Sequence, residues 1–232
     1  MFVSQSQKTL VLDIDTSRIN AALFLSNDNL KVLSWRMFSA DSVRIVDGVG
    51  MHPSALYDFM RDCVKEDSCE SIPVNILFSS SVLALDRYVI IASSVVDSTV
   101  FKTFVPVGID WDFMYVGPLD NSSHLFYLHG IHPAVLCAWQ IALSKKPFRI
   151  QMIIPKTIAL FQTYKRMHAL TFRRAALALA LRRVEYDNDS FFMDIKESPL
   201  FSQYVLQMLG LRPDDFCKIN ASIIPMIPTV LF

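Results

Sequence analysis

Short apolar segments separated by polar residues open the chain. Residues 9–15 (TLVLDID), 19–25 (INAALFL) and 30–38 (LKVLSWRMF) are each rich in apolar side chains. The residues between them are polar and of the types that favour turns. Apolar runs of this length bounded by turn signals are typical of β-strands. The pattern therefore predicts a three-stranded antiparallel meander.

A segment whose apolar residues have helical spacing follows the meander. Apolar residues recur at helical spacing over residues 53–65, and Pro53 suits the first turn of a helix. Residues 73–78 (PVNILF) then form an almost continuous apolar run, which predicts a buried strand. The predicted order of elements at the start of the chain is βββαβ.

The middle of the chain mixes strands with short helices. Asp97 is suited to cap a short helix that runs to Phe104. Pro133 suits the first turn of a helix that runs to Leu143, and Pro155 begins another helix. Apolar runs predict strands at residues 86–92, 111–116, 125–129 and 148–154. We expect these elements to form a small lobe with two helices against a sheet.

The C-terminal part contains one strongly helical segment. Residues 172–183 (FRRAALALALRR) combine good helix formers with arginines at both ends. A short strand is expected at 191–195 and a last helix at 199–209, which Gly210 can end. The remainder, to Phe232, is interrupted by prolines and predicts no regular element.

Composition limits the classes of function. Hydrophobic residues make up 52% of the 232 residues and charged residues 19%, which is typical of a folded chain with a sizeable core. The 22 basic side chains balance 22 acidic ones, so the chain has no overall attraction to nucleic acid. A neutral and strongly apolar chain favours a protein partner instead.

Glycine and cysteine usage narrow the classes further. Only six glycines occur, and none forms a GxGxxG or GxxxxGKS/T phosphate loop, which excludes Rossmann and P-loop enzymes. The four cysteines include no CxxC pair and indicate reduced thiols in a cytosolic compartment. The chain has no signal-peptide pattern and no apolar run of about 18 residues, so we expect no membrane span within it.

Several segments, in a fixed order, resemble one family. LVLDIDTSRINAAL at residues 10–23 resembles the first strand pair of actin-like proteins and is most similar to that of PilM from type IV pilus systems. The resemblance extends over about residues 9–195. The later PilM-like segments are FKTFVPVGIDWDFMYVG (101–117), the stretch SHLFYLHG to ALFQ (123–162), RRAALALALRR (173–183) and FFMDI (191–195).

The resemblance implies an α/β, ribonuclease H-like fold with a single lobe. The family has a second lobe with its own nucleotide loop, and this chain leaves no room for it between Phe161 and residue 172. We therefore expect a degenerate one-lobed actin-like fold with an inserted small α/β sublobe. The predicted parts are a main sublobe at about 1–82 and 155–195, an inserted sublobe at about 83–154, and a C-terminal extension at 196–232.

The phosphate position of the family argues against catalysis here. By the resemblance, Asp13 lies near the metal of an actin-like ATPase, Asp15 replaces a glycine and Asn20 replaces a lysine. A carboxylate at Asp15 repels phosphate, and its Cβ hinders close backbone approach. We expect no enzymatic activity and no cofactor, and we interpret Asp13 and Asp15 as a strand end and turn with Asx-type hydrogen bonds. The alternative is an actin-like nucleotide-binding protein.

Two other groups of side chains are candidates for metal binding or acid–base chemistry. The densest metal-type cluster comprises His124, His129, His132 and Cys137. A strand puts His124 and His129 on opposite faces, so we interpret the cluster as turn histidines and a core thiol, with no metal site. A metal-dependent enzyme that uses His124, His129 and Asp110 is a further alternative. Asp110 and Asp112 share one face of a predicted strand, which is more often solvated than catalytic.

Aromatic residues are the strongest interaction signal. Trp111, Phe113 and Tyr115 alternate along one strand and so share a face. Such side chains fill a core, or anchor a protein interface where they are exposed. The arginine pairs at the two ends of the predicted helix at 172–183 either solubilise this helix or contact an acidic partner surface. The predicted partner interface comprises Phe104, Trp111, Phe113, Tyr115, Arg173 and Arg174.

With room for a single lobe only, the chain also resembles the cytoplasmic domains of GspL from type II secretion and of BfpC-like proteins of type IVb pili. The resemblance implies a non-enzymatic assembly scaffold at the cytoplasmic face of the bacterial inner membrane. Its expected partners are a secretion or pilus-extension ATPase and inner-membrane proteins of the same machine. The sequence leaves a homodimer open.

Overall fold

The computed structural model shows a mixed α/β chain. The residues that it describes are 7–26, 30–39, 45–46, 49–50, 53–64, 71–92, 97–118, 121–159, 161–162, 226 and 230. In chain order the strands are β1 (Gln7–Ile14), β2 (Arg18–Ser26), β3 (Leu30–Ser39), β4 (Ile45–Val46), β5 (Val49–Gly50), β6 (Ile72–Phe78), β7 (Leu85–Ile91), β8 (Asp110–Pro118), β9 (His124–Ile131) and β10 (Phe148–Pro155). The helices are α1 (Pro53–Val64), α2 (Pro133–Leu143) and a 3-10 helix at Ser98–Phe104.

Five strands form the main sheet, in the order β10-β6-β1-β2-β3. The meander β1-β2-β3 is antiparallel, as predicted, whereas β1, β6 and β10 run parallel to one another. Every residue of β6 is buried, and β1 is buried from Thr9 to its end. Their continuous apolar sequences explain this burial, because such runs are typical of strands that are covered on both faces.

Helices α1 and α2 cover one face of the main sheet. Leu10, Leu12 and Ile14 alternate along β1 and share a core with Leu56 of α1 and Trp139 of α2. Burial of one such side chain stabilises the fold by about 1.5–3 kcal/mol relative to its exposure. This packing fixes the end of β1, where the aspartates of the phosphate position lie.

Strands β7, β9 and β8 form a second antiparallel sheet, here called the small sheet. The 3-10 helix packs on one face of it, with Phe101 fully buried against Phe126 and Leu128. Asp97 caps this helix, as predicted, and its carboxylate accepts a hydrogen bond from the backbone N–H of Thr99. The Asp97 cap thereby helps to hold the helix against the small sheet.

One predicted grouping of elements is wrong. Helix α2 and strand β10 were expected in the small lobe, but β10 pairs in parallel with β6, and α2 shares the core of α1. Local patterns predict each element but not its long-range pairing, which explains the error. The boundaries of the two sublobes and of the C-terminal extension stay a prediction.

The described part of the chain ends soon after β10. The helix expected from Pro155 begins at residue 156, and its described residues are 156–159 and 161–162. The predicted helices at 172–183 and 199–209 and the predicted strand at 191–195 lie outside the described residues. In the part that the structure describes, none of the helices is long and apolar enough to cross a membrane.

Candidate interaction sites

Aromatic side chains cover one face of the small sheet. We call this surface the aromatic face; it comprises Phe101, Phe104, Trp111, Phe113, Tyr115 and Phe126. The ring centroid of Phe101 lies 4.7 Å from that of Phe113 and 5.0 Å from that of Phe126. Phe101 and Phe126 are buried, whereas Phe113 is 36% exposed and Tyr115 is 40% exposed. The aromatic face is therefore both the core of the small sheet and part of its surface.

Polar contacts hold the rim of the aromatic face. The Tyr115 hydroxyl lies 3.1 Å from Nδ1 of His124, and the Tyr115 ring packs 5.2 Å from Phe126. The guanidinium of Arg87 lies 5.0 Å from the centre of the Phe104 ring, a distance suited to a cation–π contact. Side chains that are already held in place lose less conformational entropy when a partner binds. The exposed rings of the aromatic face are thus held in place by neighbouring side chains.

The predicted interface residues are only partly within the described structure. Trp111, Phe113 and Tyr115 share one face of β8, as alternation predicted. Arg173 and Arg174 lie outside the described residues. That these side chains form a partner interface stays a prediction.

A cleft of about 360 Å³ lies between the opposite face of the small sheet and the main sheet. Phe78, Leu136 and Ile153 contribute to its apolar wall, from β6, α2 and β10. Asp110 and Asp112 of β8 contribute to the facing wall together with His129 of β9. The predicted pair of aspartates therefore lines a partly apolar cleft, which we call the inter-sheet cleft.

Strand register places two carboxylates beside one imidazole. Asp86 of β7 and Asp112 of β8 are both direct cross-strand neighbours of His129 on β9. Directly paired residues project on the same face of a sheet, so the three side chains form a continuous row. We call Asp86, His129 and Asp112 the acidic row.

His129 is held in the neutral form. Its ring stacks on that of Tyr127 with 5.5 Å between centroids, and its Nδ1 atom is buried with no hydrogen-bond partner among the described residues. Burial lowers the pKa of His129 from its ordinary value, although the charges of Asp112 and Asp86 act in the opposite direction. Because burial dominates, His129 adds no positive charge to the acidic row at neutral pH.

An ion pair occupies the place that corresponds to the phosphate-binding position of actin-like proteins. Asp13 is 2% exposed, and its Oδ2 atom lies 2.8 Å from Nζ of Lys156 in the helix after β10. Asn20 lies directly opposite Asp13 in the β1–β2 pairing. The Asx-type interpretation is therefore wrong for Asp13, because a lysine that is distant in sequence binds its carboxylate.

Asp15 forms the predicted turn. Its Oδ1 atom accepts hydrogen bonds from the backbone N–H of Ser17 at 3.2 Å and from the hydroxyl of Thr16 at 3.2 Å. The Ser17 hydroxyl lies 3.4 Å from the same oxygen. The Asp15 carboxylate therefore stabilises the connection between β1 and β2.

The histidine and cysteine cluster is dispersed. His124 and His129 lie on opposite faces of β9, as predicted, although they are strand rather than turn residues. His132 is the N-cap of α2 and accepts a hydrogen bond from the backbone N–H of Ala134. Cys137 is exposed, so the expected core thiol is wrong; its position turns away from the buried side of α2. Across the described ranges, no group of three or more metal-type ligands comes together.

Comparison with known proteins identifies the fold. No protein-family model matches the chain, and no curated protein matches it. Among solved structures, a chain of the PilM-PilN type IV pilus biogenesis complex is 12% identical, with 96% of each chain covered and a TM-score of 0.53. In its described residues, the chain has a partial actin-like α/β fold that it shares with the chain of that complex. The predicted fold class is thereby confirmed.

Two other solved structures are similar at lower TM-scores. The cytoplasmic domain of EpsL, an inner membrane component of the type II secretion system of Vibrio cholerae, is 11% identical; 66% of this chain and 57% of that chain are covered, with a TM-score of 0.42. A Bacteroides thetaiotaomicron protein with an actin-like ATPase fold is 12% identical, with 68% and 56% covered and a TM-score of 0.40.

Sequence reasoning missed the lysine at the phosphate position and the acidic row. Lys156 follows β10 directly, and parallel strands end at the same edge of a sheet, so its proximity to Asp13 requires the order β10-β6-β1. The acidic row requires the exact pairing of β7 with β9, which alternation does not provide. A covariation signal between Asp13 and Lys156, or across β7 and β9, is what would have found them.

Proposed function

We propose that the chain is a non-enzymatic scaffold of a type IV pilus or type II secretion machine. In this role it acts at the cytoplasmic face of the inner membrane and docks a secretion ATPase to membrane proteins. The observation that carries the proposal is the fold shared with the PilM-PilN complex chain over 96% of both chains. The step from fold to function is an analogy, so local features of the chain must support it. A closer relation to BfpC-type proteins is part of the same proposal.

The aromatic face supports a docking role. Phe113 and Tyr115 expose 36% and 40% of their surfaces, while Phe101 and Phe126 beneath them are buried. Half-exposed aromatics on a rigid base are the side chains that most often dominate the binding energy of a protein interface. We assign the ATPase contact to this face.

The contacts of Asp13 and Asp15 support a scaffold over a nucleotide-binding protein. Lys156 already neutralises the carboxylate of Asp13 at 2.8 Å, and Asp15 stands in the turn where the family has glycine. Nucleotide phosphates brought to this position would meet the Asp15 carboxylate. An actin-like nucleotide-binding protein remains the alternative, which measurable Mg-ATP affinity would favour.

The proposal is tested by co-purification of the tagged native protein from envelopes of its own cells. We expect mass spectrometry to recover a secretion-type ATPase and inner-membrane proteins of one machine. The double variant Phe113→Ala/Tyr115→Ala should reduce ATPase recovery about tenfold, as loss of an interface hot spot does. Ile141→Ala, which removes another exposed apolar side chain from α2, is the matched control and should not change recovery. Recovery of no such partner under conditions that preserve membrane complexes would overturn the proposal.

A further inference from the structure

Strand β8 lies at an edge of the small sheet. Among the described strands, β9 is its one neighbour in the order β7-β9-β8. Most of residues 110–115 are exposed, although they belong to a strand. A strand at a sheet edge presents backbone N–H and C=O groups that can pair with a further strand. The outer side of β8 is therefore a surface to which a strand can be added.

The pairing of β9 shows which backbone groups of β8 point to this edge. In an antiparallel sheet, the backbone groups of successive residues point alternately to the two sides of their strand. The carbonyl of Gly130 accepts a hydrogen bond at 2.9 Å from the N–H of Ala84, just before β7. The backbone groups of His129 therefore point the other way, to Asp112 of β8. Phe113 follows Asp112, so its backbone groups point away from β9, to the edge.

A carboxylate guards the centre of this edge. The backbone N–H of Phe113 donates to Oδ1 of Asp112 at 2.7 Å, which agrees with its outward direction. Sheet edges are commonly protected by basic side chains, prolines or bulges. Residues 110–115 of β8 contain none of the three, whereas β7 carries Arg87 and β3 carries Lys31. The protection of β8 therefore comes from an acidic side chain that a competing carbonyl can replace.

A second copy of β8 fits this edge in one antiparallel register. A pair centred on Phe113 places the outward N–H of each Phe113 against the outward C=O of the other. The same register places Trp111 opposite Tyr115 of the second copy, and Asp112 opposite its Met114. Aromatic pairs are among the favourable cross-strand pairs, and each Asp112 meets an uncharged side chain. The strand is thus complementary to itself in charge and in side-chain type.

The two neighbouring registers are less favourable. A pair centred on Asp112 would place two carboxylates directly opposite each other, which is destabilising. A pair centred on Met114 would extend onto the bulge between Tyr115 and Gly117, where the regular pairing of β8 is interrupted. The chain as a whole has no net charge, so two copies have no overall electrostatic repulsion. These features favour a second copy of this chain as the added strand.

We propose that β8 is a dimerisation edge, at which two copies of the chain pair in antiparallel orientation about Phe113. Two three-stranded small sheets thereby become one continuous sheet. Directly paired residues project on the same face, so the aromatic face continues from one copy to the other. Asp112 guards the edge in the single copy and releases the Phe113 N–H when two copies meet. The inference goes beyond the proposed docking function and does not depend on it.

The first test is sedimentation velocity of the full chain. An interface of one strand pair is small, so we expect a dimer that forms at about 10–100 μM. Phe113→Pro removes the outward N–H without removing a bond to β9, so this variant should fold and remain a monomer. Phe113→Leu keeps the N–H and should still dimerise. Ile90→Pro makes the same change at an outward and exposed position of the opposite edge strand, β7, and is the matched control that should dimerise as wild type.

Three results of this test would overturn the inference. One is a monomer at every concentration up to about 200 μM, well above the range expected for a strand pair. Another is a Phe113→Pro variant that folds, as circular dichroism reports, and still dimerises. The third is a Phe113→Leu variant that is as monomeric as Phe113→Pro, because association would then depend on the ring and not on the backbone edge.

Disulfide cross-linking tests the register. In a background with Cys69, Cys137 and Cys217 replaced by serine, Phe113→Cys should cross-link to itself, because the paired Cα atoms would lie about 5.5 Å apart. Asp112→Cys should not cross-link to itself, but it should cross-link to Met114→Cys when the two variants are mixed. Linkage of Asp112→Cys to itself in preference to Met114→Cys would contradict the register.

The charge of Asp112 provides a further measurement. In the proposed register the two Asp112 side chains are diagonal neighbours, about 7–8 Å apart. Asp112→Asn removes their repulsion and should tighten the dimer about two- to threefold at low salt. This gain should vanish at about 1 M salt, where charges at such a distance are screened. An equal or weaker dimer of Asp112→Asn at low salt would contradict the inference.

Discussion

The ion pair between Asp13 and Lys156 gives the sharpest stability prediction. Lys156→Met removes the cation that lies 2.8 Å from Oδ2 of Asp13 and leaves the carboxylate 2% exposed. Removal of one partner from a buried ion pair costs about 3–5 kcal/mol, because the remaining charge is desolvated without compensation. Lys156 is 25% exposed, so solvent already screens part of the attraction, and we expect the lower end, about 3 kcal/mol.

A second feature of Asp13 should increase the cost of removing Lys156. Its Oδ1 atom is buried and has no hydrogen-bond partner in the described part of the chain, so it cannot offset the loss of Lys156. The double variant Asp13→Asn/Lys156→Met removes both charges and should recover most of the lost stability, since a neutral amide in this place needs no counter-ion. The coupling between the two positions should be about 1–3 kcal/mol.

The assay is urea unfolding followed by tryptophan fluorescence, with the four members of the double-mutant cycle. Lys31→Met on β3 removes an exposed lysine and is the matched control, expected to change the free energy of unfolding by less than about 0.5 kcal/mol. The reasoning is refuted if Lys156→Met is as mild as this control, or if the double variant loses the sum of the two single effects.

Three other outcomes are expected from single sites. Asp15→Gly should not create ATP hydrolysis in a phosphate-release assay with Mg-ATP, because the ion pair at Asp13 remains; turnover above background contradicts the scaffold proposal. Burial lowers the pKa of His129, so the unfolded chain binds its proton first and stability falls as pH drops below about 6.5. His129→Gln should flatten this slope in denaturant titrations at pH 7.5 and 5.5, and identical slopes would count against it. Burial raises the pKa of the Cys63 thiol to about 12, so a maleimide at pH 7 should label Cys137 and spare Cys63 in peptide mapping; equal labelling would argue against the buried position.

Local patterns predicted the strands and helices of the described chain, apart from the short strands β4 and β5. The α2 bounds match the prediction because Pro133 starts the helix and its apolar run ends at Leu143. The meander succeeded for a related reason, since its turns are short and leave little freedom of pairing. Where each element is specified by its own residues, the sequence alone was sufficient.

Long-range pairing set the limit of prediction. β10 was expected in the small lobe because it follows α2 closely, whereas its apolar residues complete the parallel core beside β6. The exposed position of Cys137 depends on which side of α2 meets α1, and the apolar residues surround this helix too evenly to show it. The candidate site followed the same rule, since alternation placed Trp111, Phe113 and Tyr115 on one face but could not place Lys156 beside Asp13.

The two ends of the small sheet lie side by side in the described structure. The backbone N–H of Ala84 donates to the carbonyl of Gly130 at 2.9 Å, so the chain leaves and returns within one hydrogen bond. Gly130 is tightly surrounded within the small sheet: a Cβ at this position would lie 2.7 Å from Cγ2 of Ile109 and 3.0 Å from the carbonyl oxygen of Asp110. An insert with adjacent ends adds little closure entropy to its host, whatever its length. The aromatic face and one wall of the cleft therefore belong to an insert whose replacement would cost the main sheet little closure entropy.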